Sequence, residues 1–139
     1  MLELESLKNA ITSFEGVLSR VQDANLMTKL DKVTKDGLKA GVIQNFEFTY
    51  ELCWKFMKRW LEDNLGSSYV DGVSRRELFR IAAENQLIAD VDRWMDYHKA
   101  RNRTSHTYNE VIFEEVFEAA VDFLHFAKCF LQELERRND

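Results

Sequence analysis

The chain of 139 residues contains no proline. Proline is the residue that interrupts a helix most strongly, so its absence leaves glycine and polar runs to separate the elements. Apolar residues recur at intervals of three and four along most of the chain, which is the spacing of amphipathic helices. The sequence therefore predicts an all-α fold: an up-and-down bundle of four long helices plus one short helix, forming a single domain over residues 1–139.

Capping residues and apolar spacing place the helix ends. Ser74, Asp90 and Asn109 can each cap a helix that begins after them, and Glu77 can complete a capping box with Ser74. A polar stretch from Thr28 to Gly37 predicts a loop. The five helices are expected at about residues 2–26, 38–64, 74–85, 90–103 and 110–137.

Two details of the first two helices concern packing. Gly16 costs stability inside a helix, which suggests that another backbone approaches closely there. The second helix carries one apolar stripe from Phe46 to Met57 and another from Phe48 to Trp60. Such a helix either lies at the centre of a bundle or is shared with a second copy of the chain, so a homodimer is expected.

Composition limits the class of protein. The hydrophobic fraction of 45% is too high for a disordered chain. With 19 Lys and Arg against 24 Asp and Glu, the net charge is −5, which disfavours a non-specific coat on DNA or RNA. We find neither a membrane span nor a signal peptide and expect a cytoplasmic protein. Cys53 and Cys129 are expected to be buried, reduced thiols.

The sequence does not predict a metal or a cofactor. The histidines His98, His106 and His125 form no His-x-x-x-His pair and join no cysteine cluster. A glycine-rich phosphate loop is also missing. The acids along one face of the last helix are expected to be solvated: Glu110, Glu114, Glu118 and Asp122.

The segment before the last helix is the candidate for chemistry. Between Arg93 and His106 there are four bases and one acid. Arg101 lies seven residues after Trp94, so it falls at the edge of the apolar face of its helix. An arginine can stabilise charge on a phosphate, and a histidine can move protons at about neutral pH. Arg101 and His106 are therefore candidates for metal-free phosphodiester cleavage.

Structural interpretations of the same residues stay open. Arg101 could pair with an acid such as Asp96 or Glu110, and His106 could cap a turn. His98 lies on the apolar face of its helix and is predicted to be a core histidine with its hydrogen bonds satisfied.

The string Arg101-Asn102-x-x-x-His106-x-Tyr108 resembles the signature of the HEPN domain. Its longer form, Arg-x4-His-x-Tyr, is similar to that of the HepT toxin group, also described as nucleotidyltransferase substrate-binding proteins. The block from Phe46 to Lys55, then Arg76 to Arg80, Trp94 and the run from Ser105 to Glu110 continue the likeness in order. It covers about residues 5–135.

The resemblance implies a helical, dimeric, metal-independent endoribonuclease that is the toxin of a two-gene toxin–antitoxin module. Its antitoxin partner would be a minimal nucleotidyltransferase, and its substrate would be RNA rather than DNA. Carried over by position, Arg101 and His106 would be catalytic, Asn102 would support the motif, and Tyr108 would receive AMP.

Another interpretation of the same family is a non-catalytic subunit. In that case the protein would bind a nucleotide or substrate for a two-component nucleotidyltransferase. A plain helical scaffold is a third, weaker hypothesis.

Overall fold

The computed structural model describes residues 2–138, and all regular elements within them are helical. Four long helices and one short one confirm the predicted bundle, and a five-residue helix is an addition. The helices are α1 (Glu5–Val21), α2 (Ala24–Thr28), α3 (Lys32–Leu65), α4 (Arg75–Glu84), α5 (Val91–Asn102) and α6 (Glu110–Arg137). Two 3-10 turns lie at Ser67–Tyr69 and Thr104–His106.

The predicted caps of α4, α5 and α6 are confirmed. The side chain of Ser74 accepts from the backbone N–H of Glu77, and the side chain of Asp90 accepts from that of Arg93. Asn109 caps two N–H groups at the start of α6. The side chain of Glu77 pairs with Arg80, so the second half of the predicted capping box is replaced by an ion pair on the helix surface.

The predicted loop from Thr28 to Gly37 is wrong. The carboxylate of Asp31 accepts from the backbone N–H of Thr34 at 2.8 Å, and α3 begins at Lys32 and passes through Gly37. The first predicted helix ends early, at Val21, because Asp23 caps the separate helix α2. The first turns of α3 are mostly exposed, so their polar composition resembles that of a loop.

Helix α3 lies at the centre of the bundle and packs against α1, α5 and α6. Its first apolar stripe is fully buried: Phe46, Tyr50, Cys53 and Met57. Of the second stripe, Phe56 is buried and Leu52 and Trp60 pack partly against the core, whereas Phe48 is 57% exposed. The chain's own helices therefore cover most of the surface that suggested a shared interface.

Two smaller expectations, at Gly16 and at Cys129, are wrong. Within residues 2–138, no neighbouring atom lies within 4 Å of a Cβ built on Gly16, whereas a Cβ built on Gly41 would make an ordinary contact with Val17 Cγ2 at 3.5 Å. Both cysteines are free, but Cys129 is exposed whereas Cys53 is buried. Among residues 2–138, no helix is sufficiently long and apolar to cross a membrane.

Candidate active site

Arg101 lies in the last turn of α5 with its side chain against α3. Its Nε donates to Glu51 Oε1 at 3.0 Å, and its Nη2 lies 3.7 Å from Glu47 Oε1. Glu47 and Glu51 are one helical turn apart, so both face α5. Arg101 therefore pairs with acids, as the structural interpretation allowed, but α3 supplies them in place of Asp96 or Glu110.

Glu51 holds Arg101 by one edge. Its second oxygen, Oε2, accepts from Trp54 Nε1 at 2.9 Å, which fixes the carboxylate on α3. Within residues 2–138, the terminal nitrogens of Arg101 make no hydrogen bond, and the side chain is 30% exposed. Arg101 is thus oriented by a carboxylate and keeps donors for an anion.

Behind Arg101, three further side chains form a polar chain. Tyr50 is fully buried, and its hydroxyl lies 2.8 Å from His98 Nδ1. The same hydroxyl accepts from Arg75 Nη1 at 3.2 Å. Burial raises the pKa of Tyr50 far above its ordinary value, so the phenol stays protonated and donates to Nδ1. A neutral His98 then carries its proton on Nε2.

Asn102 lies at the exposed end of this chain. Its Nδ2 is 3.4 Å from His98 Nε2, and the amide can accept the imidazole proton through its oxygen. Burial is the main cause that lowers the pKa of His98 below 6.5, followed by the charge of Arg75. His98 is therefore neutral at pH 7. It is hydrogen-bonded, as predicted, but only partly buried.

His106 and Tyr108 lie on the exposed segment between α5 and α6. His106 ends the 3-10 turn, and its ring centroid is 6.3 Å from that of Tyr108, which is 86% exposed. Within residues 2–138 the His106 side chain makes no hydrogen bond, so it does not cap a turn. The structure brings Arg101 and Asn102 together with α3 and His98, and no hydrogen bond connects them to the His106 side chain.

The positive charge that the sequence places around Arg101 is largely compensated by other helices. Three of the four bases form ion pairs with acids of α3 and α6: Arg93 with Asp122, Arg101 with Glu51, and Arg103 with Glu115. Asp122 also accepts from the buried Tyr97 at 2.6 Å, so it is not merely a solvated acid. The segment is therefore not a free basic patch.

The groups around Arg101 carry no signal in the sequence that pairs them with it. Glu47, Glu51 and Trp54 lie in the block that carries the family resemblance, but spacing alone assigns no partner to them. Arg75 had no such signal. Its guanidinium carbon lies 3.7 Å from the centre of the Trp54 ring, a stacked contact between α4 and α3. Within residues 2–138, no three metal-ligating side chains come together.

A family model described as "Nucleotidyltransferase substrate binding protein like" matches residues 2–136. A Haemophilus influenzae protein named "Probable ribonuclease HepT" is 35% identical over 138 residues, which cover 99% of this chain and 94% of that protein.

Two solved structures share the fold. One is a Haemophilus influenzae protein whose structure is described as the fold of a substrate-binding domain of a nucleotidyltransferase. It is 33% identical, with a TM-score of 0.91 over 96% of this chain and 99% of that one. A Thermus thermophilus protein, 24% identical, has a TM-score of 0.70 over 91% of this chain and 99% of its own, and it bears on the fold alone. The chain belongs to the family of nucleotidyltransferase substrate-binding-like proteins.

Proposed function

We propose that this protein is a HEPN-type, metal-independent endoribonuclease and the toxin of a toxin–antitoxin module. The observation that carries the proposal is Arg101, held by Glu51 with its terminal donors unoccupied, in a complete Arg-x4-His-x-Tyr motif. The 35% identity to a protein named as a HepT ribonuclease supports the same activity.

In the proposed reaction the 2′ oxygen of the RNA attacks phosphorus and the bond to the 5′ oxygen breaks. The products are a 2′,3′-cyclic phosphate and a 5′ hydroxyl, with no oxidant or second substrate. Arg101 stabilises the charge that grows on the phosphate oxygens. His106 takes the proton from the 2′ oxygen or delivers one to the 5′ oxygen, and solvent completes the other transfer. Asn102 supports the motif through its contact with His98.

The proposal includes regulation at Tyr108. Its side chain is 86% exposed, so an adenylylating enzyme can reach the phenol. The partner is a minimal nucleotidyltransferase: the Tyr108 oxygen attacks the α-phosphate of ATP, AMP is attached, and pyrophosphate leaves. AMP two residues from His106 adds bulk and negative charge beside the motif, which opposes RNA.

We also propose that two copies of the chain form a homodimer in which the motifs share a cleft. The exposed Phe48 on the central helix supports a further contact surface. Sedimentation of the purified chain at micromolar concentration tests this, and a profile of monomer alone would contradict it.

The activity is tested by expression in cells. Arg101→Ala and His106→Ala are expected to abolish toxicity, whereas Arg20→Ala, which removes an exposed charge on α1, should leave it intact. Purified protein should cleave RNA in EDTA and leave cyclic phosphate ends. Full toxicity of both motif variants would refute the assignment.

The second candidate function is a non-catalytic binding subunit of a nucleotidyltransferase. The family description and the relative with the TM-score of 0.91 favour it. The intact mass after incubation with ATP, Mg²⁺ and the partner transferase separates the two. A gain of AMP that Tyr108→Phe removes supports the toxin. A stable complex with no gain, intact RNA and altered transferase products supports the binding subunit.

A further inference from the structure

Arg75 has no role in the proposed reaction as described above. It is the first residue of α4 and is partly buried. Among residues 2–138, the other two partly buried arginines, Arg101 and Arg137, form ion pairs with carboxylates, and Arg75 does not. One of its five N–H groups has an acceptor there, the Tyr50 hydroxyl. A partly desolvated guanidinium without an acid is prepared for an anion from outside.

Two chains of contacts place Arg75 in the same site as Arg101. Trp54 stacks on Arg75 at 3.7 Å and donates to Glu51, which binds Arg101. On the other side, Arg75 donates to Tyr50, which contacts His98, one helical turn before Arg101. Burial is the main cause that lowers the pKa of His98, and the charges of both arginines lower it further.

The charge balance shows what Arg75 contributes. Glu47 and Glu51 place two negative charges around the single positive charge of Arg101. Lys55, whose Nζ lies 5.8 Å from the centre of the Trp54 ring, supplies a second positive charge, so without Arg75 the site would be neutral. Arg75 makes the site net positive, and stacking on Trp54 holds its planar donors in place.

We propose that Arg75 binds a second phosphate of the RNA, beside the phosphate that Arg101 contacts. The inference rests on the proposed ribonuclease function and deepens it. Two guanidinium groups that are connected through Trp54 and Glu51 suit phosphates that are spaced along a strand, each with one charge. A nucleoside triphosphate would crowd several negative charges on adjacent phosphates into a site with one net positive charge, and we therefore favour RNA over ATP.

The test measures RNA binding without cleavage. A fluorescein-labelled, single-stranded RNA is titrated into His106→Ala protein that also carries Arg75→Gln or Arg76→Gln. Arg76 is the matched control, because it is the next residue, is exposed and pairs with Asp92. Arg75→Gln should raise Kd about tenfold and reduce the slope of log K against log salt by about 0.7. Arg76→Gln should change Kd less than about twofold.

Arg75→Lys keeps the charge and serves as the conservative variant. It should restore the salt slope, with only part of the affinity because a lysine does not reproduce the planar, stacked donors. Thermal melting shows that each variant is folded at the assay temperature. Identical Kd and salt slope for Arg75→Gln and Arg76→Gln would overturn the inference.

Cleavage assays separate this inference from the proposed function. If the wild type cleaves RNA and Arg75→Gln leaves its KM unchanged, the Arg75 assignment is wrong and the ribonuclease stands. If the wild type cleaves nothing but Arg75→Gln weakens RNA binding, the phosphate site stands and the ribonuclease is wrong. The RNA phosphate site is refuted if the protein binds no RNA. It is also refuted if Arg75→Gln weakens the binding of ATP and leaves the binding of RNA unchanged.

Discussion

Tyr50→Phe should destabilise the protein more than removal of a single surface hydroxyl would. The Tyr50 side chain is fully buried, and its hydroxyl contacts His98 Nδ1 at 2.8 Å and Arg75 Nη1 at 3.2 Å. Phenylalanine leaves the imidazole without its donor, while Arg75, which is only partly buried, can donate to water in place of the phenol. We therefore expect Tyr50→Phe to lower the free energy of unfolding by about 2 kcal/mol.

This loss of free energy corresponds to a decrease in melting temperature. An unfolding entropy of about 2.1 cal/mol/K per residue over 139 residues is about 0.3 kcal/mol/K. Tyr50→Phe should therefore lower Tm by about 7 °C in a thermal melt followed by circular dichroism. The pKa of His98, followed by NMR, should rise in this variant, because the phenol donates to the neutral form of the ring. It should stay below 6.5, because burial, the main cause that lowers it, remains.

Tyr97→Phe is the matched control. Tyr97 is also buried and donates to Asp122 at 2.6 Å, but the Asp122 side chain is 45% exposed and water can replace the phenol. We expect a loss of about 1 kcal/mol, or about 3 °C. If Tyr50→Phe melts no lower than Tyr97→Phe, the argument that the Tyr50 hydroxyl anchors the polar chain is wrong.

Three other predictions follow from single residues. The pKa of His98 in the folded protein lies below 6.5, so as the pH falls the imidazole is protonated in the unfolded chain first. The contribution of His98 to stability is therefore fully present above pH 6.5 and is lost as the pH falls to the folded pKa. His98→Gln should remove that part of the pH dependence in urea melts at about pH 7.5 and about pH 5.5; an unchanged dependence would contradict it. Glu51→Ala should lower kcat for RNA cleavage about tenfold with little change in KM. Glu51→Gln, which keeps an acceptor for Arg101, should recover most of the lost rate. Equal rates for both variants would refute the positioning role of Glu51. Gly16→Ala should raise Tm by about 2–3 °C, because the helix has space for the methyl group; a lower Tm would show a contact at Gly16 that one chain alone does not contain.

The helices from α4 onwards could be predicted almost to the residue. Ser74, Asp90 and Asn109 are local signals, since each carboxylate, amide or hydroxyl needs only an N–H two or three residues away. The start of α3 was predicted wrongly for a related reason. Asp31 is an equally local cap, but the exposed turns that follow it have no apolar stripe to mark them as helix.

In the candidate site, too, some residues could be predicted from the sequence and others could not. Arg101, Asn102, His106 and Tyr108 follow from a short motif, because one helix end and one turn carry all four. The acids that hold Arg101 lie 50 and more residues away on α3, and no spacing within α5 could identify them. The apparent basic segment became neutral once α3 and α6 packed against it. Arg75 had no local signal either: only packing of α4 on α3 stacks it against Trp54 and leaves a partly buried charge without an acid. Local hydrogen bonds and periodicity thus determine the helices, and the family resemblance supplies the motif, whereas the charge balance of the site depends on contacts that only tertiary packing creates.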